Sequence, residues 1–122
     1  MFGLNKVLTT IKIKRLQEEL GAVIHFDDCY LAAFTKIYDD KEYVDDKEKK
    51  LVLSIINEIK VGRNLIREFK RCLEQDDQNG TARFVDIALD CQERVTTMVD
   101  CYRPRTDAAK ETFRHYVGEQ CR

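Results

Sequence analysis

The sequence predicts an all-α protein, a single compact bundle of about six helices that occupies residues 1–122. Three observations carry that expectation. One proline and five glycines among 122 residues leave few positions that interrupt a helix. Apolar residues recur at three- and four-residue intervals, and no window sustains the strict alternation of a strand. Residues 29–56 and 90–117 also align as two copies of one helix–loop–helix unit, sixty-one positions apart without a gap. Phe34, Ile37, Tyr38 and Asp39 correspond to Val95, Met98, Val99 and Asp100. Beyond the loop, Val52, Ile55 and Ile56 correspond to Phe113, Tyr116 and Val117.

In chain order, Leu4, Val7, Leu8, Ile11 and Leu20 predict a first helix over about 4–20, with Gly21 as its stop. A second starts near Asp28 and turns Phe34 and Ile37 inward. Asp45 and Glu48 have the spacing of a capping box, with Asp in place of Ser or Thr, ahead of a third helix. That helix buries Leu51, Val52, Ile55, Ile56 and Ile59, and Gly62 breaks it from a fourth carrying Leu65, Ile66, Phe69 and Leu73. Asp76-Asp77-Gln78-Asn79-Gly80 reads as a loop, because Asn-Gly and clustered Asp favour turns. A fifth helix runs from about Ala82 to Asp100. Pro104 stops any continuation, and Thr106 caps a sixth that carries Phe113, Tyr116 and Val117. Phe34, Phe69, Phe84 and Phe113 fall on helix faces, where an aromatic stripe is core.

An apolar content of 43% beside 35% charged residues fits a globular domain and not a disordered chain. Twenty-one basic against twenty-two acidic residues lack the surplus that phosphate backbones demand, so nucleic acid is not an expected partner. No apolar run approaches the length of a membrane span, and Asn5, Lys6 and Lys12 interrupt any signal-peptide core, which points to the cytoplasm. Cys29, Cys72, Cys91, Cys101 and Cys121 form no CxxC and no zinc-knuckle spacing, and are expected to be reduced, with Cys121 an exposed thiol. His25 and His115 lack a spaced His or Cys partner. No GxSxG, P-loop, GxGxxG or HExxH occurs, so no enzyme is expected. A pocket bringing either histidine to a cysteine would reopen that question.

Two charged features remain as candidate sites. Asp39, Asp40, Glu42, Asp45, Asp46 and Glu48 put six carboxylates into ten residues. Hard cations such as Ca²⁺ take several oxygens from one flexible loop, and Asp39, Asp40, Asp45 and Glu48 are the residues expected to converge on one. The spacing is not that of an EF-hand. Acids ahead of and within a helix's first turn also complement its dipole without any metal. Arg63, Arg67, Lys70 and Arg71 form a basic group at helical spacing, three of which share a face. They are the expected partner-binding residues, beside the alternative of a solvated helix surface.

The pattern Ala32-Ala33-Phe34, Tyr38-Asp39-Asp40, Val44-Asp45-Asp46-Lys47-Glu48 and a following apolar helix resembles the repeated signature of TerB-like tellurite-resistance domains. The opening Met1-Phe2-Gly3-Leu4-Asn5-Lys6-Val7 is similar in style. The resemblance implies an all-helical, pseudo-twofold, non-enzymatic domain of stress response or membrane-proximal assemblies, with divalent-cation binding through its acids. Lys41 stands where that signature has glycine, and Ala109 occupies the second-repeat position of Glu48. Two other readings stay open. One is a metal-independent protein–protein module, such as an adaptor, inhibitor or immunity-type binder, using its charged helical surface. The other is peripheral membrane contact through residues 1–20, where Lys6, Lys12, Lys14 and Arg15 flank Leu4, Val7, Leu8 and Ile11.

Overall fold

A computed structural model describes residues 2–41 and 43–118. Among them the chain forms four helices, not six: α1 (Phe2–Asp39), α2 (Asp46–Glu74), α3 (Gln78–Cys101) and α4 (Asp107–Phe113). A π-helical turn, Arg114–Gly118, continues α4. At 1.5 Å per residue, α1 is about 57 Å long, against about 44 Å for α2 and about 36 Å for α3.

The count falls because neither glycine ends a helix. On α1, Ile13, Leu16, Leu20, Val23, Asp27, Tyr30, Phe34 and Ile37 follow one unbroken three–four spacing, and every one is buried or half-buried. Gly21 sits on the opposite side, with nothing within 4 Å of where its Cβ would be. A seam that continues through the glycine holds the helix together more strongly than one Gly weakens it. Gly21→Ala is therefore expected to stabilise the fold by about 0.5–1 kcal/mol in urea unfolding. On α2 the seam Glu48, Val52, Ile55, Ile59, Gly62, Ile66 and Phe69 runs through the second glycine, and all seven are buried. A Cβ at Gly62 would stand 3.3 Å from Cys91 Sγ of α3, so this glycine marks a close helix crossing and not a break.

Nor is the Asn-Gly segment a loop. The α2–α3 turn is residues 75–77 alone, with Asp76 in the left-handed region at φ 53°. Asp77 caps α3 by accepting from the Gly80 amide at 2.9 Å, and this draws Gln78, Asn79 and Gly80 into the first helical turn. A Cβ on Gly80 would run into the Asp77 carboxylate and stand 2.7 Å from Cys72 Sγ. The space made by the missing side chain is what admits the cap.

The three long helices run up, down and up, with α1 packed against both α2 and α3 and α4 folded back on α1. One buried cluster gathers Phe34 and Ile37, Val52, Ile55 and Ile59, Val95 and Val99, with Tyr102 and Ala109. A second, towards the α2–α3 turn, gathers Leu16, Ile66, Phe69, Val85 and Ala88, and Leu65 packs on both. Phe34 and Phe69 are fully buried, while Phe84 and Phe113 are half-buried. The sixty-one-residue interval appears in the helix starts. Asp45 caps α2 through the Glu48 amide at 2.9 Å, and Thr106 caps α4 through the Ala109 amide at 3.0 Å.

Candidate functional site

The acidic segment is built around the α2 cap. Asp45 Oδ1 accepts from the Glu48 amide, and Glu48 Oε2 accepts from the Val44 amide at 2.8 Å, so the two carboxylates satisfy backbone donors in both directions. Arg105, from the segment between α3 and α4, reaches across to Asp45 Oδ2 at 3.3 Å and Glu48 Oε2 at 3.9 Å. The Glu48 amide bond, aided by Arg105, holds the Asp45 carboxyl below the usual carboxylate range. Glu48 is buried, and its Oε1 has no hydrogen-bond partner among the described residues. Asp39 and Asp40 lie apart from this corner, at the exposed C-terminal end of α1, where Asp40 pairs with Lys36 at 2.6 Å. Glu42 lies outside the described residues. Among the described residues, no group of three or more His, Cys, Asp or Glu is arranged to hold a metal ion. The donor set fits a cation poorly, because a guanidinium already occupies the angle between Asp45 and Glu48.

The basic group divides. Arg71 is taken by Glu68 at 2.7 Å and by Gln75 at 3.1 Å on the outer side of α2. Arg63, Arg67 and Lys70, at i, i+4 and i+7, instead line one side of a cleft of about 170 Å³ between α1 and α2. Ile24, Ile66 and Asp27 complete its walls. Arg63 pairs with Asp28 at 3.2 Å. Arg67 and Lys70 are exposed and form no ion pair among the described residues.

Asp27 was not legible as a site residue from the sequence. It occupies a core position of the α1 seam and is 1% exposed. Burial pushes its carboxyl up to about 6, while a Gln92 hydrogen bond and Arg63 pull the other way and Asp28 adds to the rise. Its Oδ1 has no hydrogen-bond partner among the described residues. The signal for it was the three–four spacing itself, which a helix boundary placed at Gly21 conceals.

The cysteines depart from the fully reduced expectation. Cys72, Cys91 and Cys101 are free, the first two buried, but Cys29 is disulfide-bonded. His25 Nε2 does stand 3.7 Å from Cys29 Sγ, yet an oxidised sulfur offers no thiolate to activate. Cys91 Sγ donates to Glu58 Oε1 at 3.5 Å, and burial raises its thiol to about 11, which keeps it protonated. Cys121 lies outside the described residues. Of the N-terminal face, Ile13, Leu16 and Leu20 pack inward, whereas Val7, Leu8 and Ile11 are exposed and Lys12 pairs with Asp86 at 3.0 Å. No described helix is long and apolar enough to cross a membrane.

In comparisons with known proteins, no family model, no curated protein and no solved structure matches this chain.

Proposed function

We propose that the chain is a non-enzymatic helical binding module that engages a protein partner, without a metal, through the basic face of α2. The carrying observation is the state of Arg67 and Lys70. With Arg63 they line one wall of the cleft between α1 and α2, where they stand exposed with no ion partner among the described residues, a state they share with other surface cations such as Lys60 and Arg83 but here on one concave face. Unpaired cations beside a concave surface steer and select an acidic partner more than they stabilise a fold. The test is affinity capture with the intact chain and with Arg67→Glu/Lys70→Glu. A genuine partner is recovered about tenfold less by the reversed variant and fades with rising salt, at an unchanged melting temperature. Equal recovery by both proteins would refute the reading.

A TerB-like accessory role is the second reading, favoured by one backbone detail. Lys41, where that signature has glycine, adopts φ 56°, the left-handed conformation glycine takes most readily. In this reading a divalent cation draws Asp39 and Asp40 towards Asp45 and Glu48 and displaces Arg105. Thermal unfolding with chelator, Ca²⁺ or Mg²⁺ separates the two. A millimolar ion that leaves the transition unmoved agrees with the metal-independent module. A rise lost in Asp39→Asn/Asp45→Asn supports the cation site.

A further inference from the structure

Among the described residues, the large apolar side chains that stand exposed include three on one face of α1. Val7, Leu8 and Ile11 are 55%, 47% and 56% exposed, whereas Val44, Leu53, Val61 and Ile87 are scattered over the rest of the chain. At 3.6 residues per turn, the three centre on a line roughly 150° around the helix from Ile13, Leu16, Leu20 and Val23, which pack into the bundle. Their stripe therefore faces away from α2 and α3. The cleft beside this stretch of α1 is lined by Lys6, Thr9, Thr10 and Ile13 on the bundle side, and the stripe itself is a ridge. Charge is distributed as unevenly as apolar surface. Residues 1–17 hold Lys6, Lys12, Lys14 and Arg15 and neither Asp nor Glu, the longest acid-free run in the sequence. The rest of the chain carries seventeen basic against twenty-two acidic residues. Lys14 and Arg15 follow the stripe by one turn, on either side of it and within roughly 70°, and both are exposed. Lys12 meets Asp86 at 3.0 Å and Arg15 meets Glu19 at 3.5 Å, in exposed pairs of the kind that a competing anion displaces readily.

We propose that this ridge rests on an anionic lipid bilayer, with α1 lying along the surface, Val7, Leu8 and Ile11 among the acyl chains and the neighbouring Lys and Arg among the headgroups. The proposal goes beyond the binding-module reading and is independent of it, because the stripe and the basic face of α2 are different surfaces. The contact is peripheral, since no described helix is long and apolar enough to cross a membrane. An interfacial helix needs an apolar stripe flanked by Lys and Arg, sunk about 5–10 Å, and nothing that holds the plane away. Here the bundle lies behind the helix. A fluid plane receives a ridge of any shape, whereas a folded protein must offer a groove that matches it. A second copy is the poorer occupant. Three half-exposed side chains fall far short of the roughly 800 Å² per partner of a stable dimer, and pairing two such segments brings like charges together. Glu18 lies on the line of the stripe, about 10 Å beyond Ile11, and its carboxylate faces the same surface. Anionic headgroups repel it, so the contact ends there.

The test is sedimentation of the full chain with vesicles of phosphatidylcholine, alone or with about 30% phosphatidylserine. The expected result is binding to the anionic vesicles only, lost as salt rises from about 50 to about 500 mM. A basic residue at an anionic surface contributes roughly fivefold in affinity, so Lys14→Gln/Arg15→Gln weakens binding at least about tenfold. Leu8→Gln/Ile11→Gln changes solvent-facing positions, keeps the helical circular dichroism, and weakens binding by a similar factor. Val61→Gln, at an equally exposed aliphatic residue of α2, leaves it unchanged. Glu18→Gln removes the opposing charge and tightens binding about threefold, a gain that a packing role for α1 does not produce. No binding, equal binding to both vesicles, binding untouched by Leu8→Gln/Ile11→Gln, or an equal loss in Val61→Gln overturns the proposal. So does a dimer in sedimentation velocity that Leu8→Gln/Ile11→Gln dissolves, because the stripe then belongs to a second copy. Vesicle binding that survives Arg67→Glu/Lys70→Glu supports the assignment to α1. Binding abolished by that variant and kept in Lys14→Gln/Arg15→Gln moves the lipid contact to α2 and refutes it.

Discussion

Asp27→Asn is expected to stabilise the folded chain at pH 7.5 by roughly 2–3 kcal/mol in chloride buffer, because the wild-type protein buries a charge there. In the unfolded chain this carboxyl titrates near 3.8, and in the folded chain at about 6. Its folded-state value is the higher one, so the folded chain holds a proton that the unfolded chain has released. The contribution of the neutral acid is complete below pH 3.8 and is lost as the pH rises through 6. Above that it stays lost. Asparagine keeps the shape and a hydrogen-bonding partner for Gln92 while abolishing the titration. Urea unfolding of both proteins from pH 4.5 to pH 8 therefore gives curves that diverge with pH and run parallel above about 7. Curves parallel throughout would mean that Gln92 and Arg63 offset the burial of the charge.

Phe34→Ala has the largest expected cost, about 3–5 kcal/mol, enough to consume much of the stability of a domain this size. The ring is fully buried, with centroids 4.9 Å from Tyr102, 5.8 Å from Phe113 and 6.3 Å from Tyr30. Phe34 and Tyr30 lie on α1 and Tyr102 and Phe113 on the segment that carries α4, so the cavity opens where α4 docks. Hydrogen exchange in α4 should rise before that in the α2–α3 pair. A loss under about 1 kcal/mol would show that the neighbouring rings collapse into the void.

The helical class, the α2 cap at Asp45 and Glu48 and the α4 cap at Thr106 were all legible in the sequence, because each depends on residues within one turn of chain. What misled was punctuation. Gly21 and Gly62 look alike as single glycines, and only the apolar seam on either side distinguishes a helix that stops from one that continues. Gly62 is in the seam and Gly21 opposite it, yet neither ends its helix. The same choice hid Asp27, which reads as a cap residue if a helix starts at Asp28 and as a buried acid if α1 is one rod. Arg105 was invisible for another reason. Its place between Asp45 and Glu48 spans sixty residues of chain, and nothing local announces it.

The short α2–α3 turn has a kinetic consequence. Residues 75–77 close the most extensive helix pair in the molecule across almost no chain, so its contacts form at little loop entropy. The hairpin is expected to be the folding nucleus, with α1 condensing onto it afterwards. Mutations at its seam, such as Ile66→Val or Val85→Ala, should slow folding, whereas those at the α1 end of the bundle, such as Ile37→Val, should chiefly speed unfolding. During synthesis α1 leaves the ribosome before α2 and α3, and on this view it waits for the surface it docks on until α3 is complete.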